Sequence, residues 1–206
     1  MELLVSLRSA AEIGAALAGG ADIIDAKEPG RGSLGAVSPE VLNEIMARVP
    51  AQMSMSVALG DFATPDEVVS AFTALQLPRR PAPLYLKLGF AGVRSEDRIE
   101  SLIATAVAAS TEAVAGPRVV AVAYADATRA GTASPMTIRD LASRAGAAGI
   151  LPDTHTKDGR GLLRWIEPTA LKRWVAGARA AGLVTALAGG LGLDDLDRVA
   201  AAQPMW

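Results

Sequence analysis

The chain has no cysteine and a single histidine. Disulfides, thiolate metal sites, cysteine nucleophiles and histidine-built metal centres are therefore excluded together. Aromatic residues make up only 4 % of the chain against 50 % hydrophobic residues, so the interior must be built from Ala, Leu, Val and Ile. No basic run is interleaved with aromatics, and the formal net charge is -2. That balance gives no electrostatic case for a nucleic-acid partner or an anionic membrane. No apolar run approaches the roughly 18 residues expected of a membrane span. The opening Met1-Glu2-Leu3-Leu4-Val5-Ser6 lacks the positive segment and long apolar stretch of a signal peptide. The expectation is a cytoplasmic globular protein, and 206 residues suit one domain with a substantial core.

Lysine is the scarcest charged residue: four, against sixteen arginines. Lys27 follows Asp22-Ile23-Ile24-Asp25-Ala26, Lys87 follows Pro83-Leu84-Tyr85-Leu86, and Lys157 follows Gly149-Ile150-Leu151-Pro152-Asp153-Thr154-His155-Thr156. Each lies at or just past a short apolar run that reads as a strand. Arginine stays protonated and cannot form an imine, whereas a lysine with a depressed pKa serves as Schiff-base nucleophile or proton carrier. Lys172, in Leu171-Lys172-Arg173-Trp174, fits a solvated helix face.

Strand and helix signals alternate along the chain. Strands are expected at 3–6, 22–27, 53–59, 84–88, 118–124, 149–153 and 183–188. Helices are expected at 9–18, from 38, from 65, at 95–113, from 134, at 168–181 and at 194–201. Ser38-Pro39 and Ser134-Pro135 each pair a capping residue with proline at the first helical position. Seven such repeats imply a parallel sheet and favour an α/β fold of the TIM (β/α)8 barrel type over an open doubly wound sheet. A dinucleotide site would need a glycine fingerprint after the first strand, where Ser6-Leu7-Arg8-Ser9 stands. The eighth β/α unit is missing: residues 1–206 read as a single barrel domain, incomplete at its C-terminal end. Truncation is favoured over an open sheet edge, which would expose unpaired backbone groups.

Inward side chains of a barrel form layers drawn from alternate strands, and barrel active sites lie at the C-terminal face. Lys27, Lys87 and Lys157 follow strands two, four and six, so they can converge there. Period-two alternation puts Asp25 on the face of Lys27 and Tyr85 on the face of Lys87. Asp153 ends the sixth strand. A carboxylate beside an amine can carry protons, and clustered cations depress one another's pKa. The bland alternative is three solvated lysines paired with Asp25, Glu28 and Asp158. His155 reads equally as a loop hydrogen-bonder or a proton shuttle. Trp165 and Trp174 read as packing or subunit contacts.

The segments Asp22-Ile23-Ile24-Asp25-Ala26-Lys27-Glu28-Pro29, Gly32-Ser33-Leu34-Gly35, Tyr85-Leu86-Lys87-Leu88-Gly89, Asp153-Thr154-His155-Thr156-Lys157-Asp158-Gly159 and Leu187-Ala188-Gly189-Gly190-Leu191 occur in order along the chain. Together they resemble the (5-formylfuran-3-yl)methyl phosphate synthase family, also known as 4-(hydroxymethyl)-2-furancarboxaldehyde-phosphate synthases. The resemblance implies a barrel lyase condensing two molecules of glyceraldehyde 3-phosphate into a furan aldehyde phosphate, with release of phosphate and water. It also implies a place in the biosynthesis of methanofuran-type one-carbon carriers. By the same match Lys27 is the Schiff-base lysine and Lys87 the proton acceptor, with Asp25, Asp153 and Lys157 further catalytic residues. Ser6, Gly32, Ser33, Gly189 and Gly190 are the expected substrate- or phosphate-binding positions. No metal and no cofactor is expected; the partners expected are a phosphorylated small molecule and further copies of the chain in a homo-oligomer. Two alternatives stand beside this reading: a simple Schiff-base aldolase on a sugar phosphate, and a non-catalytic barrel subunit that binds a phosphometabolite.

Overall fold

The computed structural model describes residues 1–75, 77–113 and 116–206. Seven strands form one sheet: β1 (Leu4–Leu7), β2 (Ile23–Ala26), β3 (Ser54–Asp61), β4 (Leu84–Gly89), β5 (Arg118–Tyr124), β6 (Gly149–Asp153) and β7 (Val184–Thr185). Their order in the sheet is their order in the chain, and every pairing is parallel. The connecting helices are α1 (Ile13–Ala18), α2 (Pro39–Arg48), α3 (Pro65–Ala74), α4 (Glu96–Glu112), α5 (Ala127–Ala130), α6 (Pro135–Arg144), α7 (Pro168–Ala180) and α8 (Leu196–Ala200). A parallel neighbour requires a long return path, and these helices supply it.

The helices begin where short polar side chains can take up free backbone donors. Ser38, Thr64, Ser95 and Ser134 each accept from an amide in the first turn of α2, α3, α4 and α6. Proline occupies the first turn of α2, α3 and α6, where no N–H is needed. The four-residue α5 has too short an apolar period to be read from the sequence. Leu183–Ala188, expected as one strand, is a strand only at Val184–Thr185. Its ladder nonetheless continues, because Ala186 N donates to Ile150 O and Ala188 N to Pro152 O.

Alternation along the strands separates two surfaces. On the outer face Ile24, Met55, Val57 and Leu86 pack with Ile13, Leu42 and Ile45. Further round, Leu88, Ala121 and Ile150 pack with Ile99, Leu102, Ile138 and Leu171. On the inner face Ile23, Ala58, Tyr85, Val120, Val122, Leu151 and Trp206 form a separate apolar cluster. A sheet buried on both faces is what helix-covered parallel strands require.

The described residues form a curled seven-stranded sheet, not a full eight-unit barrel. The edge left by the missing eighth unit is nevertheless occupied. Met205 N and Trp206 N both donate to Thr185 O, Leu187 N donates to Trp206 O, and Glu2 N donates to Met205 O. Residues 205–206 thus bridge β7 to the segment before β1 and satisfy edge groups that would otherwise be bare. Trp206 carries its ring inward onto Tyr85, with centroids 5.2 Å apart. Among the described residues no helix is long and apolar enough to cross a membrane.

At the opposite end of the sheet from the lysines, Arg80 gathers the chain ahead of β4. Its guanidinium donates to the carbonyls of Met46, Val49, Pro50 and Met53 at 2.7–3.4 Å. These are the end of α2 and the turn into β3. Arg80→Ala is expected to lower stability by about 2 kcal/mol through loss of charge-assisted bonds, and Arg80→Lys to recover less than half of it. Urea unfolding measures both.

Candidate active site

The lysine cluster assembles because Lys87 sits on the inner face of β4, Lys27 directly follows β2, and Lys157 folds back from the loop after β6 onto Asp153. Register pairs Ser6 with Asp25, Asp25 with Ser56, Ser56 with Tyr85, and Ala58 with Lys87. Same-face neighbours on adjacent strands are therefore in contact range. Lys87 Nζ lies 2.7 Å from Asp25 Oδ2, with side chains 3 % and 0 % exposed. Ser6 Oγ donates to the same oxygen at 2.8 Å. Burial pushes the Asp25 carboxyl upward, but the Lys87 ammonium and the Ser6 hydroxyl outweigh it and hold the pKa below the ordinary carboxylate value. Asp25 is thus the partner of Lys87, not of Lys27, its neighbour on the same strand face.

Asp153, 2 % exposed at its side chain, binds the other two lysines. Lys157 Nζ donates to Asp153 Oδ1 at 2.9 Å, to Thr154 O at 2.7 Å and to Thr154 Oγ1 at 3.3 Å. Lys27 Nζ is 3.9 Å from Asp153 Oδ2, beyond hydrogen-bond distance. Lys27 is consequently the loosest of the three amines. Burial lowers its pKa below that of an ordinary lysine, Asp153 opposes this, and the Lys87 and Lys157 cations add to the lowering. An amine tuned this way supplies a neutral nucleophile at lower pH than a free lysine.

Lys27, Lys87, Asp153, Ser6 and Gly189 line one cavity of about 320 Å³, with an apolar wall from Leu4, Leu151, Ala186, Leu191 and Trp206. A larger open groove of about 870 Å³ between α3 and α4 is lined almost wholly by apolar residues and Glu112, and holds none of these groups. Chemistry favours the smaller cavity. Gly189, at φ 107°, packs so closely on the β6 end that a Cβ there would sit 2.9 Å from Thr154 N and 3.3 Å from Asp153 Oδ1. Gly190 follows at φ 57°. Among the described residues neither glycine N–H donates to a backbone acceptor; Gly189 lines the cavity, whereas Gly190 is exposed and lies outside its lining.

The structure does not bring Gly32 and Ser33, expected to bind phosphate, to this cavity. Ser33 is buried and donates to Tyr124 Oη at 3.2 Å, and Tyr124 Oη donates to Asp61 at 3.0 Å. Asp61 also accepts from Ala91 N at 2.8 Å. This chain of bonds ties the loop after Lys27 to the ends of β3, β4 and β5. Gly89 is required beside it, because a Cβ there would meet Asp61 Oδ1, Leu34 and Tyr124 Oη. His155 lays its ring edge-on to Tyr124, centroids 5.0 Å apart, and its N–H donates to Asp126. Trp165 lies under Arg129, 5.1 Å from its guanidinium, and Trp174 Nε1 donates to Pro135 O; both make contacts within the chain.

Three residues of this site escaped sequence reasoning. Thr154 lay inside a quoted motif but received no role. Trp206 had no strand context to give it a direction. Ser56 carried a signal: it is a hydroxyl at an inward position of β3, between Met55 and Val57, which face outward.

The sequence model of the 4-HFC-P synthase family matches residues 3–206. The chain belongs to this family. It is 33 % identical over 198 residues to the (5-formylfuran-3-yl)methyl phosphate synthase of Methanosarcina barkeri, covering 95 % of this chain and 83 % of that one. It is 36 % identical to the Methanothermobacter thermautotrophicus enzyme of the same name, covering 95 % and 82 %. A putative member from Streptomyces griseus is 38 % identical over 176 residues, 85 % of this chain and 69 % of its own. The relatives' names make the family one of synthases, and this member an enzyme. Among solved structures, the putative copper homeostasis protein CutC of Streptococcus agalactiae superposes with a TM-score of 0.62 at 13 % identity, over 98 % of this chain and 94 % of that one. A putative phosphonomutase of Burkholderia cenocepacia gives 0.59 at 16 %, over 97 % and 91 %. At such identity these structures show only that the fold is TIM-barrel-like.

Removing Lys87 would strand a buried carboxylate. Lys87→Ala is expected to cost about 3 kcal/mol at neutral pH, as for other broken buried pairs, measured by urea unfolding. The intact pair has a lowered carboxyl, so its contribution is complete above the unfolded value of about 3.9 and declines as pH falls through the lower folded value. The Lys87→Ala deficit should therefore shrink on acidification, because the stranded Asp25 can then take a proton.

Proposed function

We propose that the protein is a (5-formylfuran-3-yl)methyl phosphate synthase that joins two molecules of glyceraldehyde 3-phosphate through an imine on Lys27. The observation that carries this reading is the contrast among the three amines. Lys87 and Lys157 are each held by a carboxylate within 3 Å, whereas Lys27 faces the cavity with its pKa lowered and its nearest carboxylate oxygen 3.9 Å away. A nucleophilic amine must give up its proton readily and be unencumbered, and Lys27, with its pKa lowered and no carboxylate within hydrogen-bond distance, is the best placed of the three.

In this mechanism Lys27 Nζ adds to the aldehyde carbon of one triose phosphate and loses water to give the imine. The imine acidifies the adjacent C–H. The Lys87–Asp25 pair, in its form lacking one proton, takes that proton through Lys87 and leaves an enamine. The enamine carbon forms the new C–C bond to the second aldehyde, whose oxygen is protonated. Elimination of phosphate and dehydration accompany ring closure, and the imine water is returned on release from Lys27. Two trioses thus lose one phosphate and two waters in net balance, and aromaticity of the furan drives the sequence forward. Lys157, fixed by Asp153 and Thr154, holds Asp153 in place beside Lys27 and supplies positive charge near the leaving phosphate. One phosphate is received by the Gly189 amide. The product class is the furan precursor of a methanofuran-type one-carbon carrier.

Two experiments test the reading. Borohydride reduction in the presence of glyceraldehyde 3-phosphate is expected to fix a triose adduct on Lys27, found by peptide mass. Trapping should rise with pH through a midpoint below the free-lysine value of 10.5, because the neutral amine is the reactive form. Absence of an adduct from Lys27 would sink the imine. An adduct without accumulation of an ultraviolet-absorbing furan aldehyde would assign a simple aldolase reaction instead. Lys87→Arg should retain substrate binding and lose turnover by about a hundredfold or more, since arginine keeps charge but accepts no proton.

A further inference from the structure

Five buried side-chain polar atoms lack a hydrogen-bond partner among the described residues: Asp25 Oδ1, Ser56 Oγ, Arg80 Nε, Thr132 Oγ1 and Trp206 Nε1. Only Asp25 Oδ1 is an acceptor without a hydrogen to give. Its register partner on β3 is Ser56; the two oxygens do not meet hydrogen-bond geometry in this arrangement, and a rotation of the Ser56 side chain about χ1 is what closes the pair. Asp25 and Ser56 are both 0 % exposed, so bulk water cannot satisfy either atom. Buried polar groups in folded proteins are almost always bonded, and a donor with no acceptor beside an acceptor with no donor is the simplest pair to close.

The strand pattern makes Ser56 more than an accident of packing. Met55 and Val57 face the outer core, while Ala58, two residues on from Ser56, belongs to the inner apolar cluster with Tyr85. Alanine would fill the Ser56 position without leaving a hydroxyl to satisfy. The other oxygen of Asp25 is already gripped by Ser6 from β1 and by Lys87 from β4. The remaining ionisable groups acting on this layer are Lys27, on the same strand as Asp25, with Asp153 and Lys157 beyond it at the end of β6.

We propose that Ser56 donates its hydroxyl hydrogen to Asp25 Oδ1 and is a positioning residue for the reaction. Ser6 and Ser56 then hold the carboxylate from both neighbouring strands, fixing the rotation that presents Oδ2 to Lys87. The Ser56 hydroxyl also withdraws charge from the carboxylate. Without it, Asp25 binds a proton more readily and grips the Lys87 ammonium more tightly, so every titration belonging to the pair moves to higher pH. The assignment of Asp25 as the pair's anion rests on the geometry alone; its consequence for turnover rests on the synthase reading above.

The test compares Ser56→Ala and Ser56→Thr in the otherwise unaltered chain. The first readout needs no substrate: the carbon-13 signal of the Asp25 carboxyl, assigned by its loss in Asp25→Asn, is followed against pH. Ser56→Ala is expected to raise its midpoint by about half to one pH unit, the scale of one lost hydrogen bond to a carboxylate, and Ser56→Thr to restore it. The second readout is turnover. In Ser56→Ala, kcat should fall about tenfold with KM changed less than twofold, and the pH limb of kcat that belongs to the pair should move upward by the same amount. Should Ser56→Ala fold poorly, Ser56→Cys, with a weak donor in the same volume, is expected to give the same direction of shift. An unchanged Asp25 titration in Ser56→Ala overturns the proposal, as does a Ser56→Thr variant that behaves like Ser56→Ala. If the wild-type chain makes no furan product, the synthase reading fails, while the carboxyl titration still decides the role of Ser56.

Discussion

The ion pair between Asp25 and Lys87 is the constraint around which the inner face of the curled sheet is arranged. Two opposite charges in full burial tolerate each other only at contact distance, and only when their remaining bonding sites are met. That requirement fixes the relative register of β2 and β4 across β3 and places polar residues, Ser6 and Ser56, on the strands to either side of Asp25. It also divides labour among the lysines. With Asp25 committed to Lys87, and Asp153 bound closely by Lys157, no carboxylate remains to clasp Lys27 at hydrogen-bond distance. Lys27 is left unclasped because its neighbours are not.

The same division accounts for the cavity's two-sided character. Lysines and carboxylates line one wall, and Leu4, Leu151, Ala186 and Trp206 line the other. In the proposed reaction the charged wall would take the phosphorylated substrate and the apolar wall the furan ring. Loop geometry supports the arrangement from outside: Ser33, Tyr124 and Asp61 tether the segment after Lys27, while Asp126 accepts from His155 N and Thr156 N in the segment that carries Lys157. The glycine-rich stretch after β2 therefore works as an anchored loop through Ser33, and the available amides lie after β7 instead.

Much of this was legible in the chain. Ser38-Pro39 and Ser134-Pro135 marked two helix starts to within a residue, because a cap is a local interaction between neighbours in sequence. Period-two alternation placed Asp25, Lys27, Tyr85 and Lys87 on one face, because side-chain direction in a strand depends on nothing beyond the strand. Less was visible where distant segments meet. Leu183–Ala188 looked like a full strand, yet it is regular strand only at Val184–Thr185, with Ala186 and Ala188 still bonded to β6 and Gly189 packed against Thr154. Gly32 and Ser33 matched a glycine-loop pattern, but a pattern does not show that Tyr124, 91 residues away, takes up the serine hydroxyl.

The order of residues alone carries the strand–helix rhythm, the inward face of each strand, the scarcity of lysine and the family to which the motifs point. All of these follow from residue type and short-range spacing. Folding alone settled which carboxylate belongs to which amine, that residues 205–206 bridge β7 to the start of the chain, and that Ser56, the register partner of Asp25, is buried with it without a partner. Those outcomes depend on strand register and on burial, which remove competing water and leave each charged group the partners that the fold brings within about 3 Å.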